Sequence, residues 1–255
     1  FIYIQNIIFL TFMLLNIFKL IFLEKKLLKN YTKILGYQKD FLFQKYYSMH
    51  LIKLILNFIF ILFFMVIASS AKAKYASFII NENTKRIYHN TNADTRNYPA
   101  SLTKIMTLYM IFDALKNKKI SMNSKFNISK RAARQPPSKL NLSAGSSITV
   151  KNAILALITK SANDVATVVA ENLGKSERNF ARLMTRKARK LGMTRSTFKN
   201  ASGLPNRGQL STARDMAVLG IAIRKNHPNF FKLFKTKSFI YKGVKYTNHN
   251  NLLSS

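Results

Sequence analysis

Residues 150–172 carry one apolar helical pattern that is broken once, and this break constrains the chain more than any other stretch. Val150–Thr159 places Ile154, Leu155, Leu157 and Ile158 at helical spacing, and Val165–Asn172 resumes the pattern. Lys160-Ser161-Ala162-Asn163-Asp164 interrupts it. Apolar runs of this kind belong in a helical core, so the break sets short polar side chains, Ser161 and Asn163, beside that core. Asp164 suits the first turn of the second piece, where the helix dipole favours negative charge. Ser161 or Asn163 could simply cap that helix, and capping is compatible with a chemical role.

The other elements are arranged around this pair. Tyr75–Ile80 is a strand-forming run, Asn81–Thr84 a turn, and Arg86–Tyr88 a return strand. A helix is predicted from about Ser101 to Lys116, with Ile105, Leu108, Tyr109, Phe112 and Leu115 as its buried stripe. Residues 117–148 read mostly as loop. Residues 177–191 form an amphipathic helix with Phe180, Leu183, Met184 and Leu191 inward, ended by Gly192. Thr212-Ala-Arg-Asp215 has capping-box spacing and opens a helix to about Lys225, limited by Pro228. Ser238–Tyr241 and Val244–Thr247 flank Lys242-Gly243 as a second hairpin.

Ahead of residue 74 the pattern differs. His50 and Lys53 follow Met49 as a short positive head, Leu54–Ile67 is an apolar core, and Ala71-Lys72-Ala73 is a small-x-small site. These are the three parts of a secretory signal peptide. The expectation is a translation start at Met49, a signal peptide over 49–73, a mature chain from about Lys74, and residues 1–48 as upstream read-through. A membrane anchor in the apolar residues 1–23 is the alternative.

The net charge is +33. It implies attraction to an anionic partner, or simply the Lys- and Asn-rich usage of an A/T-rich genome. The basic residues are scattered, without the basic helix or aromatic-interleaved strand of a nucleic-acid binder, so no nucleic-acid partner is expected. The chain has no cysteine, which removes disulfides and thiol nucleophiles. The four histidines are isolated along the sequence, and no metal or other cofactor is expected.

Three Ser-x-x-Lys triplets occur: Ser69–Lys72, Ser101–Lys104 and Ser196–Lys199. The first lies in the predicted leader. The third lies in an extended segment, where a spacing of three sends the side chains to opposite faces. Only Ser101–Lys104 has a helical setting that puts both groups on one face. Pro99 suits the start of that helix, and Ser101 falls in the first turn, with its free N–H groups. A hydroxyl becomes a nucleophile when a nearby neutral amine takes its proton. Ser101 is therefore a candidate nucleophile and Lys104 its base; a cap serine with a solvated lysine is the competing reading.

Tyr98-Pro-Ala-Ser-Leu-Thr-Lys-Ile-Met-Thr107 resembles the nucleophile motif of the serine D-alanyl-D-alanine carboxypeptidases, the low-molecular-mass penicillin-binding proteins of peptidase family S11, and Ser161-Ala-Asn-Asp164 resembles their second motif. Leu191-Gly-Met-Thr194, Phe198-Lys-Asn200 with Gly203-Leu204, Ser211–Ala217 and Asn248–Leu253 follow in the family's order. The resemblance runs from about Tyr75 to Leu253. The family's third motif, Lys-Thr-Gly, is absent; Lys235-Thr-Lys237 lacks the glycine and comes too early. C-terminal truncation is inferred, with 74–255 as a partial, inactive peptidase domain.

The resemblance implies an α+β fold of the serine β-lactamase and penicillin-binding-protein type: an antiparallel sheet packed with helices, plus a mostly helical subdomain, with the C-terminal strands missing. It implies Ser101 as acylated nucleophile, Lys104 as general base, Ser161 as proton shuttle and Asn163 as a substrate-amide ligand. Peptidoglycan stem peptides would be the substrate and β-lactams acylating inhibitors. The expected location is the periplasm or the outer face of the bacterial inner membrane, with peripheral membrane association. Two alternatives stay open. A class A-like β-lactamase would need a deacylating glutamate, for which only Glu171 and Glu177 follow Ser161. A non-catalytic wall-binding relic would explain the missing third motif.

Overall fold

The computed structural model describes residues 19, 50, 53–54, 56–58 and 75–253. The predicted leader over 49–73, its cleavage site and the upstream 1–48 fall almost entirely outside these residues. The chain divides into two compact units, Phe1–Ala71 and Lys72–Ser255. In the first unit, the described residues Lys19, His50, Lys53, Leu54 and 56–58 are helical. Among the described residues no helix is long and apolar enough to cross a membrane.

The second unit is α+β. It opens with an antiparallel hairpin, β1 (Ser77–Ile80) and β2 (Ile87–Thr91). The Asn81 side chain closes the turn by accepting from the N–H groups of Asn83 and Thr84. A 3-10 turn over Ala100–Leu102 leads into α1 (Thr103–Lys116). A short ribbon follows, β3 (Lys125–Asn127) with β4 (Ser147–Thr149), enclosing α2 (Lys130–Ala133). Next come α3 (Val150–Thr159), α4 (Asn163–Gly174), α5 (Glu177–Lys190), α6 (Ala213–Asn226) and α7 (Pro228–Phe231). The last hairpin pairs β5 (Ser238–Tyr241) with β6 (Val244–Thr247).

The local chemistry of the ends explains most boundaries. Thr149, Ser176 and Thr212 each accept an N–H from the first turn of α3, α5 and α6, the role such side chains play at N-caps. Gly192, at φ +87°, follows α5 in the left-handed conformation that ends helices. Lys242 and Gly243 both have positive φ, as a type I′ hairpin turn requires. The stretch 117–148 is less irregular than its sequence suggests. β3, α2 and β4 span three or four residues each, too short to leave a periodic signal, although Phe126 and Ile148 are buried between them.

Helix α1 departs from the expected one-sided stripe. Leu108, Tyr109 and Phe112 are buried as expected and Ile105 and Leu115 partly so, but Met106, Thr107 and Ile111 are buried as well. The reason is its position: α3, α4, α5 and α6 all pack against it, leaving little face for solvent. The core therefore surrounds the helix that follows Ser101, with Phe112 stacked on Phe230 of α7 at 5.1 Å between ring centroids.

Candidate active site

Ser101 stands in the 3-10 turn ahead of α1 and is exposed. Pro99 takes φ −71° at the cap of this turn, a value its ring sets in advance. The next residue, Ala100, is driven to φ +45°, a left-handed conformation that L-residues adopt at a cost. Gly203 explains what holds it there: a Cβ on that residue would fall 1.8 Å from the Ala100 carbonyl oxygen, so only glycine lets the two segments approach so closely.

Lys104 lies one turn on, in the core. It is 3% exposed, and its Nζ is 3.5 Å from Ser101 Oγ. The same Nζ donates a 2.6 Å hydrogen bond to the carbonyl of Ser202. Burial pushes its ammonium from the ordinary 10.5 down to about 8. No carboxylate contributes to that value. The amine is thus held near the hydroxyl, with one donor anchored and a neutral form accessible close to neutral pH.

The segment that anchors it is braced from several sides. Thr107 Oγ1 donates to the Ala201 carbonyl at 2.7 Å. The Ala201 N–H donates to Glu177 Oε1 at 3.3 Å, and Glu177 Oε2 pairs with Arg131 at 2.5 Å. Asn200 Oδ1 accepts from the Gly203 N–H at 2.8 Å, and the buried Gln209 accepts from the N–H groups of Lys199 and Asn200. Beside Ala100 and Gly203 an open, mainly apolar hollow of about 630 Å³ is edged by Tyr98, Leu204 and Pro205.

Ser161 and Asn163 sit at the junction of α3 and α4, and α4 packs against α1. Neither residue caps α4. The cap is Ala162, which makes no side-chain bond. The buried Asn163 instead turns its amide to the 136–138 loop, donating to the carbonyls of Pro136 and Pro137 at 3.0 and 3.1 Å, while its N–H donates to the Ser138 carbonyl at 2.7 Å. Asp164 is fully buried and accepts the N–H groups of Leu140 and Leu142. These bonds wrap the 136–142 loop onto the junction. Ser161 is left at φ +53°, in the left-handed region like Ala100 and Asn141, and its hydroxyl bonds neither Ser101 nor Lys104. The structure therefore joins Ser101 to Lys104 directly, and sets Ser161 in the junction between α3 and α4 and Asn163 at the start of α4, which packs against α1.

The other sequence candidates resolve differently. Ser196 is fully buried, bonded to Asp215 Oδ2 at 2.6 Å and to Ser211 at 2.8 Å, while Lys199 is exposed. Ser69–Lys72 lies outside the described residues. Glu177, one of two glutamates offered for a deacylating role, is committed to Arg131 and Ala201. Ser202, Thr107 and Glu177 shape the surroundings of Lys104; Ser202 and Glu177 were not marked by any sequence motif, and Thr107 closed the nucleophile motif without an assigned role. Their partners are far along the chain, so only the Gly203-Leu204 signal pointed to that region.

Residues 65–255 match the family described as D-alanyl-D-alanine carboxypeptidase, peptidase family S11. Among curated relatives, the D-alanyl-D-alanine carboxypeptidase DacC of Escherichia coli is 38% identical over 170 residues, 64% of this chain and 42% of that protein. DacF of Bacillus subtilis is 37% identical over 147 residues, 58% of this chain and 38% of its own length. The chain thus spans about two fifths of the length of these two relatives. Among solved structures, penicillin-binding protein 5 of Haemophilus influenzae superposes with a TM-score of 0.68 at 32% identity, over 71% of this chain and 54% of that one. Penicillin-binding protein D2 of Listeria monocytogenes, in its cefotaxime-bound form, gives 0.63 at 28% identity over 72% and 74%. With the nucleophile turn, the buried lysine and the α+β architecture all in that setting, the chain belongs to the D-alanyl-D-alanine carboxypeptidase family of S11 peptidases.

Proposed function

We propose that this protein is a serine D-alanyl-D-alanine carboxypeptidase that removes the terminal D-alanine of peptidoglycan stem peptides through an acyl-enzyme on Ser101. The observation that carries the reading is the buried Lys104 amine, 3.5 Å from Ser101 Oγ and depressed to about 8. Ser101 Oγ attacks the carbonyl carbon of the penultimate D-alanine, and its proton passes to neutral Lys104 Nζ. The Ser101 N–H, in the first turn of the helix start, faces the developing oxyanion. The C–N bond breaks and the departing D-alanine amine is protonated from Lys104 through Ser161. Asn163 orients the substrate amide through its side-chain oxygen. Water then attacks the ester, and Ser101 recovers its proton.

β-Lactams acylate the same oxygen in this reading, as the cefotaxime-bound relative supports. The leader-like segment 49–73 supports secretion to the periplasm or the outer face of the inner membrane, where stem peptides lie. The test is covalent labelling of the intact protein with a fluorescent penicillin. Labelling is expected for the full-length protein that includes the third motif, and is lost in its Ser101→Ala variant, with Ser196→Ala unaffected. A Ser101→Ala protein that still labels would refute the assignment.

A further inference from the structure

In sequence the basic residues read as scattered, without a basic helix; α5 corrects this, because the helical period gathers cations that are spaced out along the chain onto one face. Arg178, Arg182, Arg186 and Arg189 follow one another at spacings of four, four and three, and all four are exposed. At about 100° per residue they fall within an arc of about 80° and run along about 16 Å of the helix. Phe180, Ala181, Met184 and Ala188 are buried on the opposite side. Like charges at this spacing repel one another, so an arginine row destabilises its own helix unless something neutralises it.

Nothing within the described residues does. Of the seven acidic residues there, Glu82, Asp94, Asp113 and Glu177 pair with Arg224, Arg214, Lys187 and Arg131 respectively. Asp164 and Asp215 are buried and accept backbone N–H groups. Only Glu171 remains, on α4, and it has no ion pair. The row's own polar contacts are neutral: Arg182 donates to Asn179 Oδ1 and Arg189 to the Met193 carbonyl. Arginine forks match phosphate oxygens in pairs. The row lies on the convex face of a helix, and no α5 residue lines the hollows described beside the site, at Asn90–Arg96 or between β1 and α6. A ridge without walls does not clamp a small ligand or a single polymer strand. It suits a flat, phosphate-bearing surface.

We infer that the Arg178–Arg189 face of α5 is a docking surface for an anionic phospholipid membrane, held by headgroup phosphates without insertion. The inference is independent of the peptidase chemistry. It predicts cosedimentation of the intact protein with vesicles of phosphatidylcholine containing phosphatidylglycerol, and little with phosphatidylcholine alone. Each surface cation near such a leaflet is worth about fivefold in binding. Replacing all four arginines by glutamine should therefore weaken vesicle binding by about a hundredfold or more, and raised salt should do the same. The comparison variant removes four exposed cations elsewhere, Lys118, Lys130, Lys151 and Lys245, each to glutamine. It carries the same net charge and should lose far less. Equal losses in the two variants would overturn the inference, since net charge alone would then account for binding. So would binding to phosphatidylcholine that ignores the arginines, or row-dependent binding to soluble polyphosphate with none to vesicles. Melting temperatures of both variants, expected to match or exceed that of the natural sequence, separate lost docking from lost folding.

Discussion

Lys104 sits among the apolar residues of α1 with a carbonyl, not a carboxylate, as its closest partner. An acid there would raise its pKa and keep it charged; burial alone lowers it. With a value of about 8, about a tenth of the amine is neutral at pH 7 and about nine tenths at pH 9. On the proposed mechanism the rate of labelling by fluorescent penicillin should rise about tenfold across that interval and level off above it. A flat profile would remove Lys104 as the base. For stability the sign is the reverse of a salt bridge. The fold disfavours the ammonium, so the penalty is complete below about pH 8 and is withdrawn as pH rises toward the ordinary 10.5. The two residues named by the Ser-x-x-Lys spacing were legible because they are neighbours on one turn. The partners that make Lys104 a base were not legible: Ser202 lies 98 positions away and contributes only a backbone carbonyl, which any residue could supply.

At the level of elements, the ends were easier to read than the faces. Caps and turns are local: Thr212 before α6, Gly192 after α5 and Lys242-Gly243 between β5 and β6 all act through residues within a few positions. Faces depend on what comes alongside. The all-round burial of α1 follows from four neighbouring helices, and the turning of Asn163 toward Pro136 and Pro137 follows from a loop more than twenty residues earlier. The cap at Thr212 offers a direct test. Its Oγ1 accepts the Asp215 N–H at 3.0 Å, and Asp215 in turn holds Ser196 and the Arg195 N–H. Thr212→Ala should cost about 1 kcal/mol, as loss of an N-cap does. A shift of the urea midpoint with an unchanged slope would register it. No shift would mean that Asp215 is positioned without the cap.

Over the whole second unit, the contacts that matter to the site are long-range. Thr107 reaches Ala201 across 94 positions, Lys104 reaches Ser202 across 98, and Arg214 clasps Asp94 across 120 with two bonds of 2.8 Å. Closing loops of this size is slow relative to forming the helices themselves. The order of events follows. Until the 200–203 segment docks on α1, Lys104 is solvated, keeps an ordinary amine pKa and stays protonated at neutral pH. During refolding from urea, helical circular dichroism should therefore return before reactivity toward fluorescent penicillin. Simultaneous recovery would show that the base is set up by local structure alone. The single bond from Lys104 to the Ser202 carbonyl thus acts as a timing device on the proposed mechanism: a newly made chain, not yet folded, carries a serine that cannot react, and arms it only when residues about a hundred positions apart have met.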